Sequence, residues 1–185
     1  MAATQERAGV SERREGFEDR ASLVCTSGDA TYPTRPEPIY QCVNPHKPTE
    51  NLLEVVYDFP RDLDPEKLKL TWLQRKMSND PLDTGIWRFS EFFPFINDPG
   101  NIVTMGEGNT RLIEGIESAE YAGLRRLTFK HQGDNPTGSF KDTGMSVGIS
   151  AAKMLGMEVV ACASTGNTSA SMAAYAKRAG MLPVV

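Results

Sequence analysis

The sequence predicts an α/β fold with a parallel sheet, and two observations between residues 127 and 185 lead to it. Residues 127–130, 158–162 and 182–185 have the apolar and β-branched character of short strands. Two segments with apolar residues at helical spacing separate them. Strands joined through helices in units of this length pair in parallel by right-handed crossovers. Ligands of such sheets bind at the carboxyl ends of the strands, where these helices begin.

Each of the two helices has a recognisable start and end. The first is predicted from Ser139 to a glycine cap at Gly156, and the second from about Asn167 to Gly180. The apolar stripe of the first helix consists of Phe140, Met145, Ile149, Ala152 and Leu155.

A lysine stands in the first turn of the first helix, within the motif Asn-Pro-Thr-Gly-Ser-Phe-Lys-Asp at residues 135–142. A cation at this position opposes the helix dipole by about 0.3–1 kcal/mol. The same field favours the neutral amine of Lys141, which is the nucleophilic form needed for imine chemistry. The alternative is a solvated surface lysine, which is the usual state of this residue. A phosphate-binding P-loop is excluded because Ser139 and Phe140 separate Gly138 from the lysine.

The second helix begins beside a cluster of hydroxyl and amide side chains, Ser164-Thr-Gly-Asn-Thr168. Free backbone N–H groups and hydroxyls at a helix N-terminus bind carboxylates without a basic side chain. An ordinary N-cap is the alternative, since Ser, Thr and Asn are preferred there. Together the two motifs favour a site that holds an aldehyde cofactor as a Schiff base beside a carboxylate.

At these residues the chain resembles the threonine synthases among the fold-type II pyridoxal-phosphate enzymes. The resemblance rests on residues 135–142, on residues 163–170 (Ala-Ser-Thr-Gly-Asn-Thr-Ser-Ala) and on residues 106–110 (Gly-Glu-Gly-Asn-Thr). It covers the chain from about Leu23 onward. It implies the parallel-sheet layered fold of the tryptophan synthase β-like kind, truncated here, with a small N-terminal ribbon-like segment.

The resemblance also implies a role for individual residues. The substrate is O-phospho-L-homoserine, which a carbon–oxygen lyase reaction with water converts to L-threonine and phosphate. The freed amine of the lysine removes the α-proton while the cofactor ring accepts electrons. The implied site consists of Lys141 as the Schiff-base residue of pyridoxal 5'-phosphate, Phe140 close to the ring, Asn167 on its phenolic oxygen, and Ser164, Thr165 and Thr168 on the substrate carboxylate.

Other functions remain open at this stage. A threonine or serine dehydratase and a cysteine synthase share the same lysine chemistry, and a non-catalytic remnant is an alternative of another class. The family usually has Pro where this chain has Arg111, which removes the constraint that proline places on φ. The cofactor phosphate loop and the ring-nitrogen partner of such enzymes are expected beyond Val185. We therefore expect residues 61–185 to form the N-terminal part of a catalytic domain, incomplete at its C-terminus and inactive alone.

The N-terminal third gives weaker indications. Residues 1–20 mix acidic and basic side chains, which fits neither a transit nor a signal peptide and predicts a disordered tail. Residues 21–60 predict a degenerate ribbon closed by a strand at 52–57. Cys25, Cys42 and His46 offer three metal ligands at most, whereas a structural zinc site takes four, so we predict no metal. A disulfide between the two cysteines is not expected in a reducing cytoplasm.

Residues 64–77 predict a helix, because Asp64 is placed to cap it and Pro65 occupies its first position. The aromatic residues that follow are predicted to lie in the core. They are Trp87, Phe89, Phe92, Phe93 and Phe95.

The composition agrees with a soluble cytoplasmic protein, and the resemblance implies a small molecule as its substrate. Its net charge of −4 argues against nucleic acid as a partner. No apolar run approaches the ~20 residues that a membrane span needs. The full-length protein is expected to form a homodimer.

Overall fold

The computed structural model describes residues 20–34, 39–44, 51–78, 80, 83, 85–96 and 98–185. The predicted tail, apart from Arg20, and the candidate ligand His46 lie outside these residues. The chain is a mixed α/β protein with small sheets, and it divides into two compact units. One unit takes in residues up to 70 together with 90–99, and the other takes in 71–89 and 100–185. No helix among the described residues is long and apolar enough to cross a membrane.

The first unit contains a three-stranded antiparallel sheet. The strands are β1 (Ala21–Cys25), β2 (Thr31–Pro33) and β3 (Leu53–Tyr57), in the order β2-β1-β3. The strand predicted at 52–57 is thereby confirmed as β3, which pairs with β1 along its whole length. Phe92 packs on this sheet, since its backbone carbonyl accepts a 2.8 Å hydrogen bond from Tyr57 Oη.

Helix α1 (Pro65–Lys76) agrees with its prediction at both ends. Asp64 Oδ1 accepts hydrogen bonds from the backbone N–H groups of Glu66 (2.9 Å) and Lys67 (3.3 Å), which is the geometry of a capping residue. Pro65 needs no partner in the first turn because it has no N–H.

In the second unit, two strand pairs accompany three helices. Strands β4 (Leu112–Glu114) and β5 (Thr128–Lys130) pair antiparallel on either side of α2 (Ile116–Tyr121). Strands β6 (Val159–Ala161) and β7 (Leu182–Val184) pair in parallel. Helix α3 (Lys141–Met154) precedes β6, and α4 (Asn167–Ala179) crosses over from β6 to β7.

These pairings confirm part of the predicted sheet and correct another part. The three strands exist, and the parallel crossover through α4 is confirmed for β6 and β7. The parallel pairing of β5 was wrong, because β5 pairs antiparallel with β4. Apolar character identifies a strand but carries no information about its partner, and β4 lies close to β5 in the chain.

Helices α3 and α4 pack together over a small core. Gly180 ends α4 in the left-handed conformation (φ +81°), as predicted for its capping position. The buried apolar cluster consists of Val103, Ile149, Met172, Tyr175, Ala176 and Met181.

Burial differs from the predicted pattern at two places. Phe140 was predicted on the buried stripe but is 57% exposed, because α3 begins at Lys141, two residues after the predicted start at Ser139, and Phe140 stays at the helix boundary. Strand β6 was predicted to be buried, but Val159 is half exposed. Among the described residues β6 has β7 as its one partner, so its other edge is uncovered.

The buried face of α3 is mainly polar. Asp142, Ser146 and Ser150 follow one another at a spacing of four residues and are all fully buried. Ser146 Oγ donates to the carbonyl of Val103 (2.7 Å) and accepts from Trp87 Nε1 (2.8 Å). Buried polar groups of this kind must be hydrogen-bonded, and here the bonds fix α3 against the segment that leads to residue 106.

Candidate active site

The N-termini of α3 and α4 lie side by side, as the sequence predicted for the two motifs. Asp142, in the first turn of α3, accepts a 2.6 Å hydrogen bond at Oδ1 from Ser171 Oγ of α4. Ser171 lies one turn after Asn167 on the same face of α4, because residues four apart on a helix are neighbours. The contact therefore places the first turn of α3 against the second turn of α4.

Asp142 also holds the loop that precedes α3, which we call the lysine loop (residues 135–140). Its Oδ2 accepts from the backbone N–H of Thr137 (2.7 Å), and its Oδ1 accepts from Thr137 Oγ1. The side chain is fully buried, so these bonds are not shared with solvent. One carboxyl group thus links the lysine loop, α3 and α4.

Lys141 is the first residue of α3 and is half-buried. Gly138 (φ +76°) makes the preceding turn in a conformation that L side chains rarely adopt. The Lys141 Nζ lies 4.8 Å from the centroid of the Phe140 ring. An amine beside an exposed aromatic face suits a flat ring that carries an aldehyde group.

Helix α4 begins without a conventional side-chain cap. Its N-cap residue is Gly166, in an extended conformation, and no side chain bonds the first-turn N–H groups from that position. Ser164 Oγ accepts from the backbone N–H of Gly166 (3.3 Å). Asn167 and Thr165 are exposed, and Thr168 is half-buried. An uncapped helix N-terminus lined by hydroxyls is a suitable binding site for a carboxylate.

A second loop, residues 106–110, which we call the glycine loop, contacts the lysine loop. Gly106, Gly108 and Asn109 all have φ between +50° and +84°, so the loop follows no regular structure. The backbone N–H of Gly108 donates to Asn135 Oδ1 (2.9 Å), and Asn135 is buried. This bond joins the glycine loop directly to the motif that carries the lysine.

The glycine loop is also held against α4 through a buried carboxyl group. Glu107 is fully buried and accepts from Tyr175 Oη (2.8 Å) and from the backbone N–H of Met105 (3.1 Å). Burial, and then the nearby Glu107, raise the pKa of the Tyr175 hydroxyl well above its usual range, so that it acts as a donor at any physiological pH.

Arg111, which stands where the resemblance implies a proline, makes specific contacts. Asp134 Oδ2 accepts from the backbone N–H (3.0 Å) and from Nε (2.9 Å) of Arg111, and Asp134 Oδ1 accepts from a terminal guanidinium nitrogen (2.8 Å). The guanidinium, followed by the backbone N–H, holds the pKa of Asp134 well below its usual range.

The donors and acceptors present fit pyridoxal phosphate bound at Lys141. Besides the amine and the uncapped helix, the hydroxyl of Thr110 is buried and has no hydrogen-bond partner within the described part of the chain. An unsatisfied buried hydroxyl is costly, and one beside a candidate binding site indicates a ligand that completes it. The ammonium group of Lys130 donates to the carbonyl oxygen of the same threonine.

Cys25 and Cys42 of the ribbon-like segment lie together as free thiols, both buried. Their sulfur atoms and an oxygen of Asp29 lie within 4.8 Å of one another. The sequence did not point to Asp29, because its spacing from Cys25 matches no common ligand motif. Three ligands are fewer than a closed structural zinc site takes, so the absence of a metal stays a prediction.

Four residues that organise this site were not predicted as such. Asp142 belongs to the lysine motif, and Glu107 to the glycine loop, but neither motif indicates the partner of its carboxyl group. The partners, Ser171 and Tyr175, stand four residues apart on one face of α4. This four-residue spacing, on a helix that a polar cluster precedes, was the one feature of the sequence that could have indicated these partners.

Comparison with known proteins defines the class first. Residues 103–185 match the model of a family described as pyridoxal-phosphate dependent enzyme, and this range contains the lysine loop, the glycine loop and both helix N-termini of the site. The predicted resemblance to pyridoxal-phosphate enzymes is confirmed by this match.

The relatives then narrow the class to threonine synthases. That of Methanosarcina acetivorans is 42% identical over 164 residues, covering 88% of this chain and 36% of the relative. That of Methanocaldococcus jannaschii is 43% identical over 134 residues, covering 72% of this chain and 31% of the relative. That of Synechocystis sp. is 53% identical over 87 residues, covering 46% of this chain and 23% of the relative. The resemblance to threonine synthases is confirmed, and the chain spans about a third or less of each of these relatives.

Proposed function

We propose that the full-length protein is a threonine synthase, which converts O-phospho-L-homoserine and water to L-threonine and phosphate. The observation that carries this proposal is the convergence of the lysine loop, the glycine loop and the N-terminus of α4 through Asn135, Asp142 and Glu107. The similarity to threonine synthases covers the same residues.

Three residues would hold the cofactor. Lys141 would bind its aldehyde carbon covalently, since it is the first residue of α3 and directly follows the lysine loop. Phe140 would contact the ring through its exposed face. Asn167, exposed in the first turn of α4, would donate an amide hydrogen bond to the ring's phenolic oxygen.

The substrate carboxylate would bind at the N-terminus of α4. Ser164, Thr165 and Thr168 present hydroxyls there, and the helix begins without a side-chain cap. The positive end of the helix dipole adds a favourable interaction with the negative charge.

The chemistry is divided between the cofactor and the chain. When bound, pyridoxal phosphate accepts the electrons released at the α-carbon. The amine of Lys141 would accept the α-proton, because it stands in the first turn of α3, which Asp142 joins to α4. Asp142 accepts hydrogen bonds from Thr137 and Ser171. These bonds would hold Lys141 at a fixed position relative to α4 while the proton moves.

The finer architecture is also part of the proposal. Residues 61–185 would form the N-terminal part of a catalytic domain with a parallel-sheet layered fold, preceded by a ribbon-like segment at residues 21–60. Apolar side chains of β6 and β7, such as Val159 and Leu182, are exposed, whereas parallel sheets are normally buried on both faces. This exposure supports the proposal that further elements of the full-length protein pack on this sheet. The full-length enzyme would be a cytoplasmic homodimer.

Two experiments on the full-length enzyme test the function. Borohydride reduction followed by peptide mapping should place the cofactor on Lys141, and a label on Lys130 or Lys153 would refute the assignment. Assays in parallel should show phosphate release from O-phosphohomoserine exceeding ammonia release from serine or threonine and sulfide incorporation into O-acetylserine. Dominant ammonia release would identify a dehydratase instead, dominant sulfide incorporation a cysteine synthase, and no turnover at all would favour a non-catalytic remnant.

A further inference from the structure

The Arg111–Asp134 pair lies at the junction of two loops of the site. Arg111 directly follows the glycine loop, and Asp134 directly precedes the lysine loop. Three hydrogen bonds of 2.8–3.0 Å join them, and the carbonyl oxygen of Arg111 accepts from the backbone N–H of His131 (2.9 Å). His131 Nδ1 lies 3.0 Å from Asp134 Oδ1, so the carboxyl group is contacted from both sides.

The glycine loop needs a constraint at this end. Three of its five residues adopt left-handed conformations, which leaves the loop with little regular hydrogen bonding of its own. A proline at position 111 would restrict φ to about −65°. Arginine does not, but it has a backbone N–H and a guanidinium group, and Asp134 accepts from both.

The pair is suited to orienting the loop rather than to stabilising the fold. The side chain of Arg111 is 73% exposed, and exposed ion pairs contribute little to stability. A bidentate arginine–carboxylate contact nevertheless fixes geometry, because both nitrogens must face both oxygens. The residue so oriented is Thr110, whose buried hydroxyl has no partner among the described residues.

We propose that Arg111 and Asp134 are positioning residues that take over the role of the missing proline. They hold the glycine loop against the lysine loop and place the hydroxyl of Thr110 for contact with the substrate. This inference rests on the proposed function, because the substrate of that function is the ligand the loop would contact.

Matched variants of the full-length holoenzyme separate this role from a general effect on folding. Arg111→Gln keeps the backbone N–H and removes the bidentate contact of the side chain. Asp134→Asn weakens the acceptor for the backbone N–H and for the guanidinium group of Arg111. Arg126→Gln is the control, because Arg126 forms an exposed 2.9 Å ion pair with Glu114 and also links the segments of β4 and β5.

The first measurement is hydrogen exchange of the peptide that contains the glycine loop. We expect exchange to become about tenfold faster in Arg111→Gln and in Asp134→Asn and unchanged in Arg126→Gln, since local opening follows the loss of local contacts. Unchanged exchange in the first two variants would overturn the proposal, whether or not the enzyme is active.

The second measurement is steady-state kinetics with O-phosphohomoserine. We expect KM to rise about tenfold in both variants with kcat and the visible spectrum of the cofactor nearly unchanged, because a loop that is no longer pre-organised weakens binding first. Arg111→Pro should restore KM, and adding Asp134→Asn to it should then have no further effect. An unchanged KM in Arg111→Gln, or a further loss in the proline background, would overturn the proposal. Failure of the unaltered enzyme to turn over this substrate would refute the proposed function instead.

Discussion

Asp142 offers the sharpest test of how the site is held together. Asp142→Ala would leave three donors without their acceptor in a fully buried place, namely the N–H and Oγ1 of Thr137 and the Oγ of Ser171. An unsatisfied buried donor costs about 1–3 kcal/mol, and partial relaxation keeps the total below the sum, so we expect a loss of about 3–5 kcal/mol.

Two further substitutions should each lower the free energy of unfolding by less than Asp142→Ala does. Ser171→Ala removes one donor and leaves Asp142 Oδ1 with Thr137 Oγ1, so it should cost about 1 kcal/mol. In Asp142→Asn the amide oxygen can still accept from the Thr137 N–H. Its NH₂ group then faces the hydroxyls of Thr137 and Ser171, which can accept instead of donating, so this variant should cost about 1–2 kcal/mol. Glu120→Ala, an exposed acidic position on α2, is the control and should stay within about 0.5 kcal/mol.

Urea unfolding of the full-length protein measures these values through the shift in midpoint at constant slope. The double variant Asp142→Ala/Ser171→Ala should cost less than the sum of the single variants by about 1 kcal/mol, because the Ser171 hydroxyl is then no longer left unsatisfied. Strict additivity, or an Asp142→Ala cost no greater than that of Glu120→Ala, would refute this account of the network.

Four other outcomes are expected. Lys141→Ala should abolish both turnover and the visible absorbance of the covalently bound cofactor, while circular dichroism stays unchanged. Asn167→Asp should stay folded yet bind the cofactor more weakly in a spectral titration, because it replaces an amide donor with a charge that repels the phenolate; a wild-type titration would remove the cofactor role. Tyr175→Phe should lower the free energy of unfolding by about 1 kcal/mol, since the buried Glu107 loses one of its donors and keeps those from Met105 and Thr104. The lowered pKa of Asp134 gives the exposed Arg111–Asp134 pair a small contribution to stability, which is present above the unfolded-state pKa of about 3.9 and is lost as pH falls from there through the folded-state pKa. Asp134→Asn should therefore flatten the acid limb of a plot of unfolding midpoint against pH, and an unchanged limb would contradict the assignment.

The sequence by itself determined the local elements and the chemical character of the site. Helix α4 ends at Gly180 because glycine adopts the left-handed conformation freely, and α1 begins at Asp64 because its side chain reaches N–H groups two and three residues on. These are short-range effects, so a single stretch of sequence contains all the information they need. The position of Lys141 in the first turn of a helix is of the same kind.

Only the tertiary structure decided which elements meet. The partner of β5 is β4, although the alternation of strands and helices along the chain suggested parallel pairing with β6. The carboxyl group of Asp142 finds Ser171, and that of Glu107 finds Tyr175, across separations that no local pattern encodes. Each of these contacts is selected by burial, because a carboxyl group enclosed in the core must find donors among whatever side chains the packing brings near. The substitution of Arg111 for proline is visible in the sequence, but its compensation by Asp134 depends on two loops meeting in space.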